Sequence, residues 1–168
     1  MILKISQEEM RKIACGWIKQ NEKIIIEAGC SSGNFVSLLK DKKIAKYIGV
    51  DIDKGKIKEA KKKFPSFSFI ALDISKNLYL LRNCSLFISF QCLEHIKNDI
   101  EVIKAIPINS KVIFSVPNKP FHKEHIRWFE LDGWIDRFSP YIKFDEIITI
   151  QNPRKKNKRS FLFRGFRK

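Results

Sequence analysis

Ile24-Ile25-Ile26-Glu27-Ala28-Gly29-Cys30-Ser31-Ser32-Gly33-Asn34-Phe35 is the stretch that decides how this chain folds. A β-branched run ends in an acid, then passes through two glycines into an apolar-periodic segment. That pattern is a buried strand, a tight loop and the start of a helix. Glycine is required where the backbone turns with positive φ or where a ligand lies against the main chain. A carboxylate facing such a loop suits a ligand that carries positive charge.

The remainder of the chain fits around this unit. At 168 residues a single domain, residues 1–168, is expected, burying about 70% of its unfolded surface. No apolar run approaches the roughly 20 residues of a membrane-spanning helix, and the N-terminus lacks the pattern of a signal peptide. Cys15, Cys30, Cys84 and Cys92 form neither a C-x-x-C pair nor a zinc spacing, so a reduced, cytoplasmic protein is expected. Lys and Arg number 33 against 18 Asp and Glu, a net charge of +15. Such a surplus marks either a binder of nucleic acid or acidic surfaces, or a lysine-rich composition without a partner. The one dense run, Arg154 to Arg159, lies between two apolar segments and has the look of a solvated hairpin tip.

Ser6-Gln7-Glu8-Glu9 has the capping-box spacing, and Met10, Ile13, Ala14, Trp17 and Ile18 fall on one helical face, a helix expected to pack on the sheet edge. Strands are expected over Lys23–Ala28, Tyr47–Asp51, Phe67–Leu72, Leu86–Phe90 and Lys111–Val116. Between them come helices at Asn34–Lys40, Lys54–Phe64 and Asn98–Ala105. A loop from Phe121 to Arg127 follows, then a helix over Phe129–Phe138 and two strands, Lys143–Gln151 and Ser160–Arg167, joined by the basic turn. The fold class is α/β: a doubly wound, mostly parallel seven-stranded sheet with helices on both faces. The terminal pair has no room for a crossover and must be antiparallel.

Glu27, Asp51 and Asp73 each end an expected strand, and in an open α/β sheet ligands bind beyond those ends. Asp51, eighteen residues after Gly33, sits at the tip of the adjacent strand, where a carboxylate can accept from both hydroxyls of a ribose. A dinucleotide site needs a G-x-G-x-x-G loop with pyrophosphate on the helix N-terminus. Here there are only Gly29 and Gly33, and Glu27 would repel phosphate. A sulfonium cofactor with an amino-acid tail, cationic and free of phosphate, fits better than NAD.

Glu27-Ala28-Gly29-Cys30-Ser31-Ser32-Gly33 resembles the first motif of class I S-adenosylmethionine-dependent methyltransferases, a Rossmann-like fold. Gly49-Val50-Asp51-Ile52 is similar to that family's ribose-binding strand end, and Ala71-Leu72-Asp73-Ile74 to its adenine-binding position. Ser89 to Ile96, Val116-Pro117-Asn118 and His125-Ile126-Arg127-Trp128-Phe129 resemble the ubiquinone/menaquinone-biosynthesis-like branch. The resemblance implies S-adenosyl-L-methionine as cofactor. It places the methionine tail against Ala28 and Gly29, with Glu27 organising the amine side. The ribose goes to Asp51, adenine to Ile52, Asp73 and Ile74, and Gln91 lines the pocket near the methyl group. Ser31 stands where many relatives carry glycine, and serine fits if no positive φ is needed there.

In methyl transfer the cofactor supplies the reactivity and the enzyme aligns the acceptor. A hydroxyl acceptor gains from a general base. His95 is the expected base and Glu94 its orienter or alternative, against the bland role of capping the next helix. His122, His125 and Arg127 could bind the acceptor. The acceptor is expected to be an oxygen or nitrogen on a small molecule or saccharide; RNA is the alternative, and a catalytically inactive cofactor-binding module a third. Small-RNA 2′-O-methyltransferases hold a metal with a Glu-x-x-Glu-His segment and a later histidine. Gln91 replaces the first glutamate and is a weak ligand, so no metal is expected. The short loops after the fourth and fifth strands leave no inserted subdomain. That leaves an open acceptor site, finished by a large substrate or by a partner subunit, as in a homodimer.

Overall fold

The β-branched run Ile24–Ala28 (β2) lies at the centre of the sheet, paired on both sides and buried on both faces. Residues 2–120, 123–155 and 157–168 are described in the computed structural model of the chain. Around β2 stand β1 (Ile2–Lys4), β3 (Lys46–Asp51), β4 (Ser68–Ala71), β5 (Leu86–Phe90), β6 (Lys111–Pro117), β7 (Ile142–Gln151) and β8 (Arg159–Arg167). Their order is β1-β7-β8-β6-β5-β2-β3-β4. β2 to β6 run parallel, while β8 is antiparallel to both β6 and β7.

The chain goes outward from β2 to β4, then crosses back to place β5 on the other side of β2. The strand order therefore reverses at β2, the place beyond the strands' carboxyl ends where open α/β sheets bind ligands. The glycine loop sits at that point.

Helices cover both faces. α1 (Gln7–Gly16) and α2 (Lys54–Lys63) put Met10, Ala14, Ile57 and Ala60 into one core with Ile25, Leu86, Ile88 and Leu162. α3 (Asp99–Ala105) and α4 (Leu131–Phe138) put Val102, Ile103, Trp134 and Phe138 into the other, against Ile26, Phe87, Phe114 and Phe163. The capping box at Ser6 forms in full: Ser6 Oγ accepts from Glu9 N at 3.2 Å, and Glu9 Oε2 from Ser6 N at 2.7 Å. No helix among the described residues is long and apolar enough to cross a membrane, and the four cysteines are free.

Three details depart from the sequence reading. An eighth strand, β1, pairs in parallel with β7; three residues are too few for a period-2 signal. α1 packs on a face of the sheet rather than its edge, since its apolar stripe meets residues of both β2 and β5. The helix expected over Asn34–Lys40 is a 3₁₀ turn, Val36–Leu39, which buries Val36 and Leu39 at the i, i+3 spacing of that geometry.

β8 carries a glycine whose absence of side chain is structural. β7 bulges between Phe144 and Glu146, and a Cβ on Gly165 would stand 2.2 Å from Lys143 O. Gly165→Ala is expected to destabilise the protein by about 1–3 kcal/mol, seen as a lower urea midpoint at unchanged m-value. An unchanged midpoint would mean that the bulge relaxes freely.

Candidate active site

The glycine loop is built by backbone hydrogen bonds to the end of β3. Gly29 N and Cys30 N both donate to Val50 O, at 2.8 and 3.1 Å. Ser31 N donates to Asp51 Oδ2 at 2.8 Å, and Asp53 N to Asp51 Oδ1 at 2.9 Å. Gly29 and Gly33 have φ of 75° and 83°. A Cβ on Gly29 would sit 2.6 Å from Cys92 Cβ, so this glycine also lets the turn after β5 close against the loop. Ser31 too is left-handed, with φ of 50°. That corrects the expectation that serine fits here by avoiding positive φ: it adopts it, at a cost of about 1 kcal/mol, and Asp51 holds its N–H.

Each Asp51 oxygen has one backbone donor and keeps a lone pair for a further one. Ile52 beside it is 73% exposed, an apolar side chain at the crevice with no core to enter. Asp73 Oδ1 accepts from Ser75 N at 3.0 Å and Ser75 Oγ at 2.7 Å; Oδ2 lies 3.8 Å from Lys76 Nζ. Ile74 is buried in the core below, so its side chain supports the rim from beneath. Glu27 is buried and accepts a short hydrogen bond from Tyr47 Oη. Burial pushes its carboxyl up to about 7 against the opposing pull of Tyr47 and Arg11. Ala28, fully buried, carries the chain from β2 into the loop.

The turn after β5 supplies the other wall. Gln91 has φ of 51°, donates from its backbone to Ser115 O at 3.0 Å and from Nε2 to Ser115 Oγ at 3.1 Å. Its buried Oε1 has no partner. Glu94 is fully buried, and neither carboxylate oxygen meets a side chain or another residue's backbone in hydrogen-bond geometry. Burial raises it to about 8, opposed by its own backbone amide and by Arg127. The rings of His95 and His125 meet edge to face with centroids 4.5 Å apart. Donor atoms of Glu94, His95 and His125 all lie within 4.8 Å of one another, close enough for one small cation. The three come together without Gln91, whose identity was the ground for expecting no metal.

His95 Nδ1 lies 3.0 Å from Glu124 O. A carbonyl only accepts, so Nδ1 carries the proton and Nε2 is the basic nitrogen.

Arg127 does not reach outward. It donates to Leu93 O at 3.2 Å, closely to Ile96 O, and to Lys97 O at 2.8 Å, and pairs with Asp99 at 3.1 Å. Its guanidinium is consumed in tying the segment after β6 to the turn after β5, which makes it a positioning residue. Asp99, fully buried, also pairs with Arg137 at 2.6 Å. His125 is buried beneath this segment rather than solvated. His122 lies outside the described residues. The sequence reading missed Tyr47, Cys92, Asp99 and Ser115. Asp99 alone had a local signal, an acid opening a helix, and that signal says nothing of two arginine partners.

Comparisons with known proteins give the family and the fold. Residues 7–154 match a family model described as a methyltransferase domain. No curated protein matches the chain. Among solved structures, the [4+2]-cyclase SpnF is similar at a TM-score of 0.79 and 6% identity, over 95% of this chain and 80% of that one. The N-methyltransferase NodS from Bradyrhizobium japonicum, in complex with S-adenosyl-L-homocysteine, is similar at 0.71 and 15%, over 96% and 84%. A TehB-like SAM-dependent methyltransferase from Corynebacterium glutamicum is similar at 0.69 and 13%, over 94% and 86%. Identities this low establish the fold alone, and the cyclase among them shows that the fold does not dictate one reaction.

Asp99→Ala strands two arginines and should cost about 3 kcal/mol in urea denaturation. Amide exchange should rise in residues 123–130 before it rises in the glycine loop; equal protection of both would remove Asp99 as the anchor of that segment.

Proposed function

The chain belongs to the methyltransferase domain family, and on that footing we propose that it moves a methyl group from S-adenosylmethionine to an oxygen or nitrogen acceptor. The observation that carries the cofactor is Asp51: a half-exposed carboxylate at the tip of β3 with a lone pair left on each oxygen, between Glu27 on β2 and Asp73 just past β4. Three carboxyl groups on three neighbouring strand ends disfavour a pyrophosphate and suit a cationic nucleoside. Ala28 and Gly29 meet the methionine tail, Glu27 faces its amine, Asp51 takes the ribose, and Ile52 and Asp73 flank adenine with Ile74 below. Gln91 Oε1, buried without a partner, offers an acceptor beside the reactive end.

When bound, the cofactor supplies an electrophilic methyl on sulfur. The protein's part is to align the acceptor and, for a hydroxyl, to receive its proton. His95 Nε2 is placed for that step, because Nδ1–H is committed to Glu124 O. Glu94, raised by burial to about 8, is held mainly neutral at pH 7, which leaves His95 as the base. The acceptor is carried by a small molecule or saccharide, or, in the second reading, by RNA; the position of the basic turn at the cofactor rim favours the latter. The chain is read as one domain with no inserted subdomain, and its acceptor side is completed by a large substrate or a second subunit.

Calorimetry should show binding of S-adenosylmethionine and none of NAD, and Asp51→Ala should weaken binding about tenfold or more; binding of NAD instead would overturn the assignment. A cation beside Glu27 lowers its pKa, so binding at pH 6.5 should expel a fraction of a proton, and affinity should rise from pH 6 towards pH 7. Glu27→Gln should abolish that proton release. With an acceptor identified by labelling cell extracts from a radioactive methyl donor, His95→Ala should lower turnover of a hydroxyl acceptor roughly 10²-fold or more at unchanged cofactor affinity. Unchanged turnover would remove His95 as the base.

A further inference from the structure

We propose that the rim between the cofactor loop and the β7–β8 turn is a platform for single-stranded nucleic acid, which makes a nucleotide the methyl acceptor. The proposal rests on the methyltransferase reading and narrows its substrate.

The register of β8 fixes where the basic turn lies. Ser160 pairs with Pro117, the last residue of β6, so the connection from β7 to β8 emerges at the carboxyl rim, on the side of the glycine loop. Asn118 N donates to Arg159 O at 3.0 Å, and Arg159 N to Asn118 Oδ1 at 2.8 Å, which ties the turn to the segment after β6. The turn is braced from within: Asn152 Oδ1 accepts from Arg154 N at 2.9 Å, and Gln151 Nε2 donates to Lys155 O at 3.1 Å. Arg154 and Lys155 are exposed on it, with Lys158 and Arg159 half-buried. From Asn152 to Arg159 the sequence holds no acid. Glu130 is the carboxylate that reaches the turn, paired with Arg159 at 3.3 Å.

Between this turn and the Glu94–His95 wall stands an apolar surface that the core does not explain. Ile126 is 53% exposed, Trp128 46% and Phe129 37%. They line one shallow, open cleft with Arg127. The surface is rigid. Arg127 anchors it to the backbone of residues 93–97, and Phe129 packs edge to face on Trp134 with centroids 4.9 Å apart, whose Nε1 donates to Pro117 O at 2.8 Å. Exposed aromatic faces beside cations are what an unpaired nucleic-acid strand requires, because bases stack on the rings while phosphates meet the charges. β8, β6, β5 and β2 are successive neighbours, so the turn is only roughly 14 Å from the glycine loop across the rim. A strand lying over that distance, with a phosphate at Arg154 and Lys155 and a base on Trp128, brings a neighbouring ribose or base to His95. A duplex keeps its bases stacked and would not use the rings.

The test is fluorescence anisotropy with labelled mixed-sequence RNA and DNA single strands of about 12 nucleotides, the matching duplexes, and heparin as a polyanion without bases. Single strands should bind at least tenfold more tightly than duplex or heparin. Trp128→Ala should cost about tenfold and Trp128→Phe much less, since a stacking face is kept. Arg154→Glu with Lys155→Glu should flatten the plot of log affinity against log salt by roughly 0.7 for each cation removed. A preference for RNA over DNA of the same sequence assigns the 2′-hydroxyl a part in recognition, and equal binding assigns the phosphates and bases alone; both support the platform. No binding, duplex or heparin binding as tight as single strands, or an unaltered affinity in Trp128→Ala would each overturn it. The cofactor calorimetry on the unaltered protein decides the methyltransferase reading separately, so either can fail alone.

Discussion

Asp51 accepting the N–H of Ser31 is the contact on which the site depends. It spans two neighbouring strand ends and fixes a loop that would otherwise relax, because Ser31 is held at a φ that an L residue avoids. The same carboxylate takes Asp53 N, and Asp53 in turn caps α2 through Gly55 N and Lys56 N. One acid thus links the glycine loop, the tip of β3 and the start of the next helix. Each of its oxygens keeps a lone pair and the residue is only half-buried, so the group that shapes the loop also has acceptors left for a ligand.

A second buried acid does the equivalent work on the other wall. Asp99 holds Arg127 and Arg137 together, and Arg127 gathers the carbonyls of the turn after β5. Two desolvated cations on one carboxylate make a costly arrangement to break, because removing the acid leaves both uncompensated. What the arrangement secures is position: His125 beside His95, and Trp128 and Phe129 at the rim. Without that clamp, the segment after β6 would be a surface loop whose polar and aromatic residues had no fixed relation to the cofactor side.

The local parts of this design were legible in the sequence, and the tertiary ones were not. Gly29, Gly33, Asp51 and Asp73 follow from strand-end chemistry and turn geometry, and the alternation of apolar runs gave the parallel sheet and the antiparallel end. The capping box at Ser6 was readable because it is closed within four residues. The sequence offers Arg127 as a candidate acceptor ligand and hides its clamping contacts to Leu93, Ile96 and Asp99, which no periodicity encodes. Glu94, His95 and His125 were each singled out, but only the fold brings their donor atoms within 4.8 Å. Ser31 looked harmless because side-chain identity alone does not reveal backbone φ.

Gln7 Oε1 and Arg164 Nε are buried without a partner away from the site, but strain and unmet polarity coincide only around the turn after β5 and the glycine loop among the described residues. Among the described residues, four other than glycine have positive φ. Two are Asn21 and Asn109, a residue type that tolerates the left-handed region; the others are Ser31 and Gln91, in the two turns that meet where Gly29 packs on Cys92. Gln91 also carries a buried oxygen without a partner, and Glu94, three residues on, a carboxyl raised by burial. Glu27, on the β2 side, is raised for the same reason. A fold selected for stability alone would replace such groups, since each disfavours the folded state and none repairs another. Their concentration at the topological switch point, between two densely packed cores, is the signature of a surface completed by what binds there. A cationic nucleoside between Glu27 and Gln91 would meet the unpaired oxygen and relieve the raised carboxyl together, and Gln91 is itself one of the two strained residues of the site.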